Sequence, residues 1–415
     1  MLARRRAKYV LWLGFRIPDN GRCLGQKNKV IGIFQEVKKE MAKNNREPDC
    51  ETQHVLQICH TSEPPFLDCA RQYAALFEKT EYTVITIFLS GSKPDQMDVR
   101  LPGTEAIFLN YQSAGLKGLK VGLIKTIRKI AYPLNLKLII AHRYKPTYIA
   151  LRIKDVPVVA VNHAFGVYHR WARRLMVGRN ENRVLLLGVS NAVRDDLRAS
   201  LPKFSSDKIE CLYNRIDRGV LASSQLDKTG ARVNLGLDVK AYIFGNVGRL
   251  HPDKDQKTLI KAFALVSEKI PNACLVLIGS GEDRLMLETL SAELKVADKV
   301  KFLGNVPDAS KYFKAFDSFL LSSDEEPFGM VLLEAMTANL PVVCTSTGGG
   351  AEVVGSDGML FDKGDCKRLS ELMQRIYDEK NNFDINYEPR IKKLFSDESA
   401  RSRFWGFSEI KKFDI

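Results

Sequence analysis

Residues 322–336 read SSDEEPFGMVLLEAM and predict a strand–turn–helix unit with an acidic, glycine-containing turn. The strand is Ser318 to Leu321, and the helix begins after Gly329. The first turn of a helix has free backbone N–H groups, which bind phosphate readily. Glu326 precedes the helix and Glu334 lies two turns further on, so their carboxylates could hold hydroxyls of a ligand whose phosphates lie between them. The stretch therefore indicates a site for a phosphorylated, hydroxyl-rich ligand.

Strands and helices alternate on both sides of this unit. The alternation begins at His54 and starts again at Ala241, which predicts two doubly wound parallel sheets, an α/β fold. We expect domains at 50–226 and 227–395, joined through a polar linker at 222–233 and preceded by a basic, poorly ordered extension at 1–49. The amphipathic segment 396–415 would pack back on the first domain. Because ligands of open α/β sheets bind at the carboxyl ends of the strands, the cleft between the domains is the expected site.

The composition limits the class of partner. The net charge is +14, and residues 1–49 alone hold twelve Lys/Arg against five Asp/Glu. Such a surface attracts anionic lipid head groups or a phosphorylated glycan, although it could also serve only solubility. No nucleic-acid-binding signature is present, and no apolar run is long enough for a membrane-spanning helix. The eight cysteines form no CxxC pair, which favours buried thiols and a cytoplasmic address.

Three further turns follow predicted strands of the second domain: GRLHPDKD at 248–255, GSG at 279–281 and TGGGAE at 347–352. In the first of these, Arg249 and Lys254 carry two positive charges, which suits a diphosphate without a metal ion. The second turn is not a dinucleotide fingerprint, because Arg284 stands where the third glycine should be. This disfavours a nicotinamide-dependent dehydrogenase, and no metal site is predicted.

The order of these segments resembles the C-terminal domain of the GT-B glycosyltransferases of family 4, which are retaining enzymes that use nucleotide sugars. The resemblance covers residues 241–365 and extends more loosely to 185–193 and 213–217. It implies the GT-B fold, in which two Rossmann-like domains face a central cleft. The N-terminal half is similar, more softly, to bacterial enzymes that build the lipopolysaccharide core.

The resemblance also implies roles for individual residues. Arg249 and Lys254 would hold the donor diphosphate and stabilise charge on the leaving nucleotide. Glu326 would bind the transferred sugar and Glu334 the ribose hydroxyls, and His163 would face the sugar from the first domain. The implied catalytic residues are Glu326, His163, Arg249 and Lys254. The implied donor-binding residues are Gly248, Arg249, Lys254, Gly279, Gly281, Val306, Glu326, Phe328, Gly329, Met330 and Glu334.

The acceptor side is less well marked. The first βα turn, at 60–68, lacks the paired glycines that the family usually carries there. Glu63 and Asp68 in this turn are candidates for contacts with acceptor hydroxyls. Four further candidates are Arg170, Trp171, Arg173 and Arg174. The arginines would meet the phosphates of an anionic membrane-bound glycolipid, and Trp171 would lie at the membrane interface.

Together these features predict a glycosyltransferase that moves a hexose, with retention, from a nucleotide sugar to a glycan or glycolipid of the lipopolysaccharide core or another cell-surface polysaccharide. The expected donor is a UDP-sugar, no cofactor or metal is expected, and the enzyme would act at the inner face of the cytoplasmic membrane. The alternatives are a nucleotide-sugar epimerase or a phosphorylase on the same fold, and a non-catalytic sugar-nucleotide-binding protein. A phosphorylase would need a pyridoxal lysine motif, which the sequence lacks.

Overall fold

The computed structural model describes residues 52–63, 66–92, 104–112, 115, 118–382 and 385–415. The predicted extension at 1–49 lies outside the described residues. The described part has two parallel sheets, each surrounded by helices. None of its helices is both long enough and apolar enough to cross a bilayer. Its six cysteines are free thiols.

The first sheet has seven parallel strands in the order β3-β2-β1-β4-β5-β6-β7. Its central strands are apolar and buried on both faces, as Val158–Asn162 shows along its whole length. Helices therefore cover both faces of the sheet. The strands are β1 Gln53–Thr61, β2 Tyr82–Ser90, β3 Thr104–Phe108, β4 Asn135–His142, β5 Val158–Asn162, β6 Val184–Gly188 and β7 Ile209–Cys211. The helices of this half are α1 Phe66–Ala74, α2 Val121–Ala131, α3 Tyr144–Ala150, α4 Trp171–Gly178 and α5 Asn191–Ser200.

The second sheet has six parallel strands in the order β10-β9-β8-β11-β12-β13. Its strands are β8 Tyr242–Val247, β9 Ala273–Ile278, β10 Val300–Gly304, β11 Ser318–Leu321, β12 Val342–Thr345 and β13 Met359–Phe361. The helices that follow β7 are α6 Arg218–Ser224, α7 Lys228–Asn234, α8 Gln256–Val266, α9 Arg284–Glu293, α10 Met330–Thr337, α11 Gly348–Val354, α12 Cys366–Asp378, α13 Glu388–Leu394, α14 Asp397–Gly406 and α15 Ser408–Lys412. Both the strand before the decisive turn and the helix start after it lie where the sequence predicts them.

Most of the predicted linker at 222–233 is helical. The side chain of Asp217 accepts a hydrogen bond from Val220 N at the start of α6, and that of Asp227 accepts one from Gly230 N at the start of α7. Such caps satisfy the free N–H groups of a helix start. Arg232 is buried and donates to the carbonyl of Ala315, so tertiary contacts hold α7 against the second domain.

The C-terminal helices return to the first sheet. Trp405 Nε1 in α14 donates to the carbonyl of Leu76 at 3.0 Å, and its ring stacks on Tyr82 with centroids 6.0 Å apart. Arg401 donates to the carbonyl of Ala75 and pairs with Glu78 at 2.9 Å. The chain therefore crosses back from the second domain and covers the edge of the first one.

A carboxylate of the second domain caps a helix of the first. The Glu352 side chain, on α11, accepts hydrogen bonds from Asn191 N at 2.9 Å and Ala192 N at 2.7 Å, the first two residues of α5. It also accepts one from the hydroxyl of Tyr213 at 2.9 Å. A negative charge at a helix N-terminus is favourable, so this contact fixes the two domains relative to each other.

Candidate active site

The turns that follow β8, β9 and β10 touch one another at the carboxyl edge of the second sheet. Gly248 N donates to the carbonyl of Ile278 at 2.9 Å, and Gly279 N donates to that of Gly304 at 2.7 Å. Leu250 N donates to the carbonyl of Ser280 at 3.1 Å. The structure thus brings together the glycine-rich turns that the sequence placed at neighbouring strand ends.

Gly279 and Gly281 are needed for the contact between these turns. A Cβ atom at Gly279, where φ is +137°, would lie 1.9 Å from the carbonyl oxygen of Gly248. At Gly281 it would lie 2.0 Å from that of Leu250. Because the obstructing atoms are backbone, no side-chain movement could relieve the clash. Gly279 and Gly281 therefore allow neighbouring turns to pack against each other. The sequence pattern could not distinguish this structural role from direct contact with a ligand.

Lys254 and Glu326 form an ion pair in the turn region. Lys254 Nζ lies 2.7 Å from Glu326 Oε2, and the side chains are 16% and 12% exposed. Ser323 Oγ donates to the same carboxylate oxygen at 3.0 Å. The pair joins the turn after β8 to the turn after β11, and each charge is the other's partner in the absence of a ligand.

Backbone and hydroxyl contacts hold the Glu326 turn in place. Ser322 Oγ donates to the carbonyl of Lys254 at 2.9 Å, and Asp324 N donates to that of Asp253 at 3.0 Å. From the other side, Gly349 N donates to the carbonyl of Glu326 at 2.7 Å. The carboxylate of Glu326 is therefore carried by a turn fixed from both neighbouring strand ends.

The helix α10 begins at this turn without a side-chain cap, after Gly329 in the left-handed region at φ 93°. Within the described residues, the N–H groups of Phe328, Gly329 and Met330 have no hydrogen-bond acceptor outside the helix. The Phe328 ring is buried and packs against Tyr213 and Phe395. Only the backbone of Phe328 is thus available to a ligand, and the N-terminus of α10 offers donors to an anion.

Glu334 lies two turns from Glu326 and is half-buried. Burial raises the pKa of Glu334 to about 7. Nothing in the described part of the chain donates a hydrogen bond to its carboxylate. A partly buried carboxylate without a donor is suited to accept hydrogen bonds from ligand hydroxyls.

Two further candidates for donor binding, Arg249 and Val306, lie in the turns that follow β8 and β10. The Arg249 side chain is 70% exposed, and its guanidinium is 3.5 Å from Asp253 Oδ2. Val306 is half-buried in the turn after β10. Neither is part of the Lys254–Glu326 contact. Across the described residues, no group of three or more His, Cys, Asp or Glu side chains is arranged to hold a metal ion.

In the first domain, His163 follows β5 and is hydrogen-bonded to a second histidine. His163 Nε2 lies 3.1 Å from His142 Nδ1, and His142 Nε2 lies 3.3 Å from Gln57 Oε1. Burial and the charge of Arg143 lower the pKa of His163 to about 3, so its ring is neutral. His142 and Gln57 were not among the residues predicted from the sequence. Their signal is a polar residue at the end of β4 and a glutamine in the apolar centre of strand β1.

The acceptor candidates are more scattered. Asp68 pairs with Arg71 on its own helix, and Glu63 is exposed beside Thr61. Arg173 donates to the carbonyl of Val167 at 2.8 Å and lies over the Tyr144 ring, which is a structural contact. The exposed members of the set are Arg170, Trp171 and Arg174.

Comparison with known proteins gives three findings. Residues 227–393 match the family model described as glycosyl transferases group 1. An uncharacterized glycosyltransferase of Methanocaldococcus jannaschii is 37% identical over 175 residues, which are 41% of this chain and 44% of that protein. The lipopolysaccharide core biosynthesis glycosyltransferase LpsE of Rhizobium meliloti is 33% identical over 147 residues, 35% of this chain and 42% of that protein. The chain thus spans less than half the length of these two relatives.

Solved structures match over more of the chain. HepE of Anabaena, in complex with UDP and glucose, has a TM-score of 0.69 at 20% identity and covers 84% of this chain and 97% of its own. Sucrose-phosphate synthase of Thermosynechococcus elongatus has a TM-score of 0.70 at 18% identity, covering 88% and 100%. These likenesses confirm the fold expected from the motifs. Residues 227–393 thus match the model of glycosyl transferases group 1, and the chain has the GT-B fold seen in these solved glycosyltransferases.

Proposed function

We propose that the protein is a retaining glycosyltransferase that moves a hexose from a nucleotide sugar to a glycan or glycolipid acceptor. The observation that carries this proposal is the Lys254–Glu326 ion pair beside the free N-terminus of α10. It brings a cation, a carboxylate that would bind hydroxyls and backbone donors together at the carboxyl edge of the second sheet. A nucleotide diphosphate sugar needs all three.

The donor would exchange partners with the ion pair. Its diphosphate would take the ammonium of Lys254, together with the N–H groups at α10 and the exposed guanidinium of Arg249. Glu326 is then free to accept hydrogen bonds from the sugar, and Glu334 accepts them from the ribose. As the glycosidic bond breaks, negative charge grows on the leaving nucleotide, and fixed positive groups near it lower the barrier. UDP is the donor nucleotide that we favour, because HepE was solved with UDP and with UDP-glucose.

The acceptor would be an anionic glycolipid at the inner face of the cytoplasmic membrane. Between residues 106 and 180 the sequence has fourteen Lys/Arg and one acidic residue, Asp155, so this segment carries +13. Its basic groups meet aromatic rings: Lys120 and Arg152 lie over Tyr148, and Arg173 lies over Tyr144.

This basic surface also exposes apolar side chains. Trp171 is 70% exposed and Tyr132 is 92% exposed. Cations beside exposed aromatic rings favour an anionic lipid surface. Two curated relatives are named as lipopolysaccharide core glycosyltransferases, which supports an acceptor of that class.

The test is a binding screen followed by a transfer assay. Metal-free thermal shifts with UDP, GDP, ADP and their sugar conjugates would identify the donor, since a ligand that binds the folded state raises the melting temperature by an amount that grows with the ratio of its concentration to Kd. The matching labelled sugar is then offered with glycolipid extracts in vesicles that contain either anionic or neutral lipid. Transfer that is faster on anionic vesicles is expected. If no nucleotide binds and no sugar is transferred, the proposal is wrong.

A further inference from the structure

A chain of buried polar side chains runs across three neighbouring strands of the first sheet and ends just after the carboxyl end of β5. It consists of Gln57 in β1, His142 at the end of β4 and His163 directly after β5. Gln57 is fully buried and His142 is 1% exposed. A buried polar group costs free energy unless it is hydrogen-bonded, so each contact in this chain constrains the next.

The amide of Gln57 has one possible orientation. Its Nε2 donates to the carbonyl of Ala70 at 3.0 Å and to Thr86 Oγ1 at 3.1 Å. A carbonyl oxygen only accepts, so the nitrogen of the amide must lie on that side and Oε1 must face His142. Because Oε1 also only accepts, the hydrogen of this contact is on His142 Nε2.

The tautomer of His163 follows from that of His142. Burial lowers the pKa of His142 well below its usual value, so the ring is neutral and carries one hydrogen. With Nε2 protonated, His142 Nδ1 is an acceptor, and the hydrogen between the two rings belongs to His163 Nε2. His163 is neutral too, so its Nδ1 has a lone pair. This nitrogen has no partner among the residues that the structure describes.

We propose that Gln57 and His142 are positioning residues, which hold His163 as the Nε2–H tautomer so that its Nδ1 accepts a hydrogen bond from a hydroxyl of the bound sugar. This inference rests on the proposed function. The same arrangement predicts a preference between donor sugars. A carboxylate in place of the sugar hydroxyl would face the lone pair of His163 Nδ1 and could not donate a hydrogen bond to it. The site should therefore favour a neutral hexose over the corresponding hexuronic acid.

The tautomers can be measured without any ligand. The chain has six histidines, so the ring nitrogens of the full-length, histidine-labelled protein give few NMR signals. In the wild type we expect a proton on Nε2 and none on Nδ1 of both His142 and His163. In Gln57→Leu the His142 Nε2–H would face an apolar side chain, and a buried unpaired N–H is costly. Both rings should then change to the Nδ1–H form.

Tyr73→Phe is the matched control. The Tyr73 ring lies 4.8 Å from that of His142, and its hydroxyl has no partner among the described residues, so this change should leave both tautomers as they are. A proton on His163 Nδ1 in the wild type overturns the proposal, whether or not the leucine variant folds. Unchanged tautomers in Gln57→Leu overturn it as well.

Calorimetry tests the role in binding. Gln57→Leu should bind UDP as the wild type does and bind UDP-glucose about three- to tenfold more weakly, the effect of one hydrogen bond. The wild type should also prefer UDP-glucose to UDP-glucuronate, and the variant should lose part of that preference. Equal weakening for UDP and UDP-glucose, or none for either, contradicts the positioning role. If the wild type binds no sugar nucleotide, the proposed function is wrong. The tautomers measured by NMR then still show whether Gln57 and His142 hold His163 in the Nε2–H form.

Discussion

Lys254 and Glu326 lie seventy-two positions apart in the chain, yet their charged atoms are 2.7 Å apart. Each is a group that a nucleotide sugar would use separately, the ammonium for phosphate and the carboxylate for hydroxyls. Their pairing satisfies both charges. Binding of the proposed donor would exchange one set of charge-assisted hydrogen bonds for another, with no unpaired charge left in a partly buried place.

Replacement of Lys254 with methionine should abolish most of the transfer activity. The variant keeps the length of the side chain but loses the cation that faces the leaving diphosphate, and loss of one such group costs about 100- to 1,000-fold in kcat. The measurement is kcat with the donor identified in the binding screen, alongside the melting temperature.

Lys257→Met is the control for that variant. Lys257 lies one helical turn further on, is 59% exposed and is 4.0 Å from Asp255, so its loss should leave activity unchanged. A Lys254→Met enzyme that turns over like the wild type would remove Lys254 from the donor site.

Glu334→Gln should remove a pH dependence from donor binding. Ribose hydroxyls stabilise the ionised carboxylate, whereas burial holds the pKa of Glu334 at about 7 in the empty site. The wild type should thus bind UDP-glucose more tightly as the pH rises from 6 to 8, by up to about tenfold per unit below the pKa. The glutamine variant should bind more weakly, with a flat profile. Parallel profiles for the two proteins would contradict the ribose assignment.

The raised pKa of Glu334 also predicts how the stability of the protein depends on pH. The pKa of Glu334 is higher in the folded protein than its ordinary value of 4.5, so the unfolded chain loses this proton first as the pH rises. The contribution of Glu334 to the free energy of unfolding is therefore largest below about pH 4.5 and is lost by about pH 7. The difference in free energy of unfolding between Glu334→Gln and the wild type should therefore shift in favour of the variant as the pH rises from low pH to pH 8. Melting temperatures measured across this range check the prediction.

The parts of the fold that the sequence predicts well are those where local chemistry decides the structure. The strand at 318–321 and the helix that starts at Met330 follow from an apolar run, a turn with glycine and a helical repeat. The segment 222–233 has no such repeat, and its helices depend on caps and on the buried Arg232. The carbonyl that Arg232 contacts belongs to Ala315, more than eighty positions away, so no local pattern reports this contact.

The same limit applies to the site. Glu326 and Glu334 were found through their position on one strand–turn–helix unit. The hydrogen-bonded side chains of Gln57, His142 and His163 come from three strands. They meet only because β1, β4 and β5 are neighbours in the sheet. Glu352 was visible as part of the last glycine-rich turn, but the helix that it caps belongs to the other domain.

Gly281→Ala should weaken donor binding. The added methyl group would lie 2.0 Å from the carbonyl oxygen of Leu250, so the turn that carries Arg249 and Lys254 must move. Overpacking of this kind costs about 1–3 kcal/mol, and donor affinity should fall with it. Gly122→Ala in α2, where a Cβ atom meets open space, is the control and should not reduce the melting temperature. Normal donor binding by Gly281→Ala would show that the turns can separate without loss of the site.

Glu352→Gln should loosen the two domains from each other. The glutamine keeps the size of the side chain, but it removes the charge at the start of α5 and turns an NH₂ group towards a backbone N–H or the Tyr213 hydroxyl. One buried donor would lose its acceptor, which costs about 1–3 kcal/mol. In calorimetry the wild type should unfold in one transition, whereas the variant should show two, since each sheet has its own helices. Glu371→Gln, which breaks only an exposed pair with Arg368, should keep the single transition. A single, unshifted transition in Glu352→Gln would mean that the remaining contacts, including those of α14 with the first domain, are enough to couple the two halves.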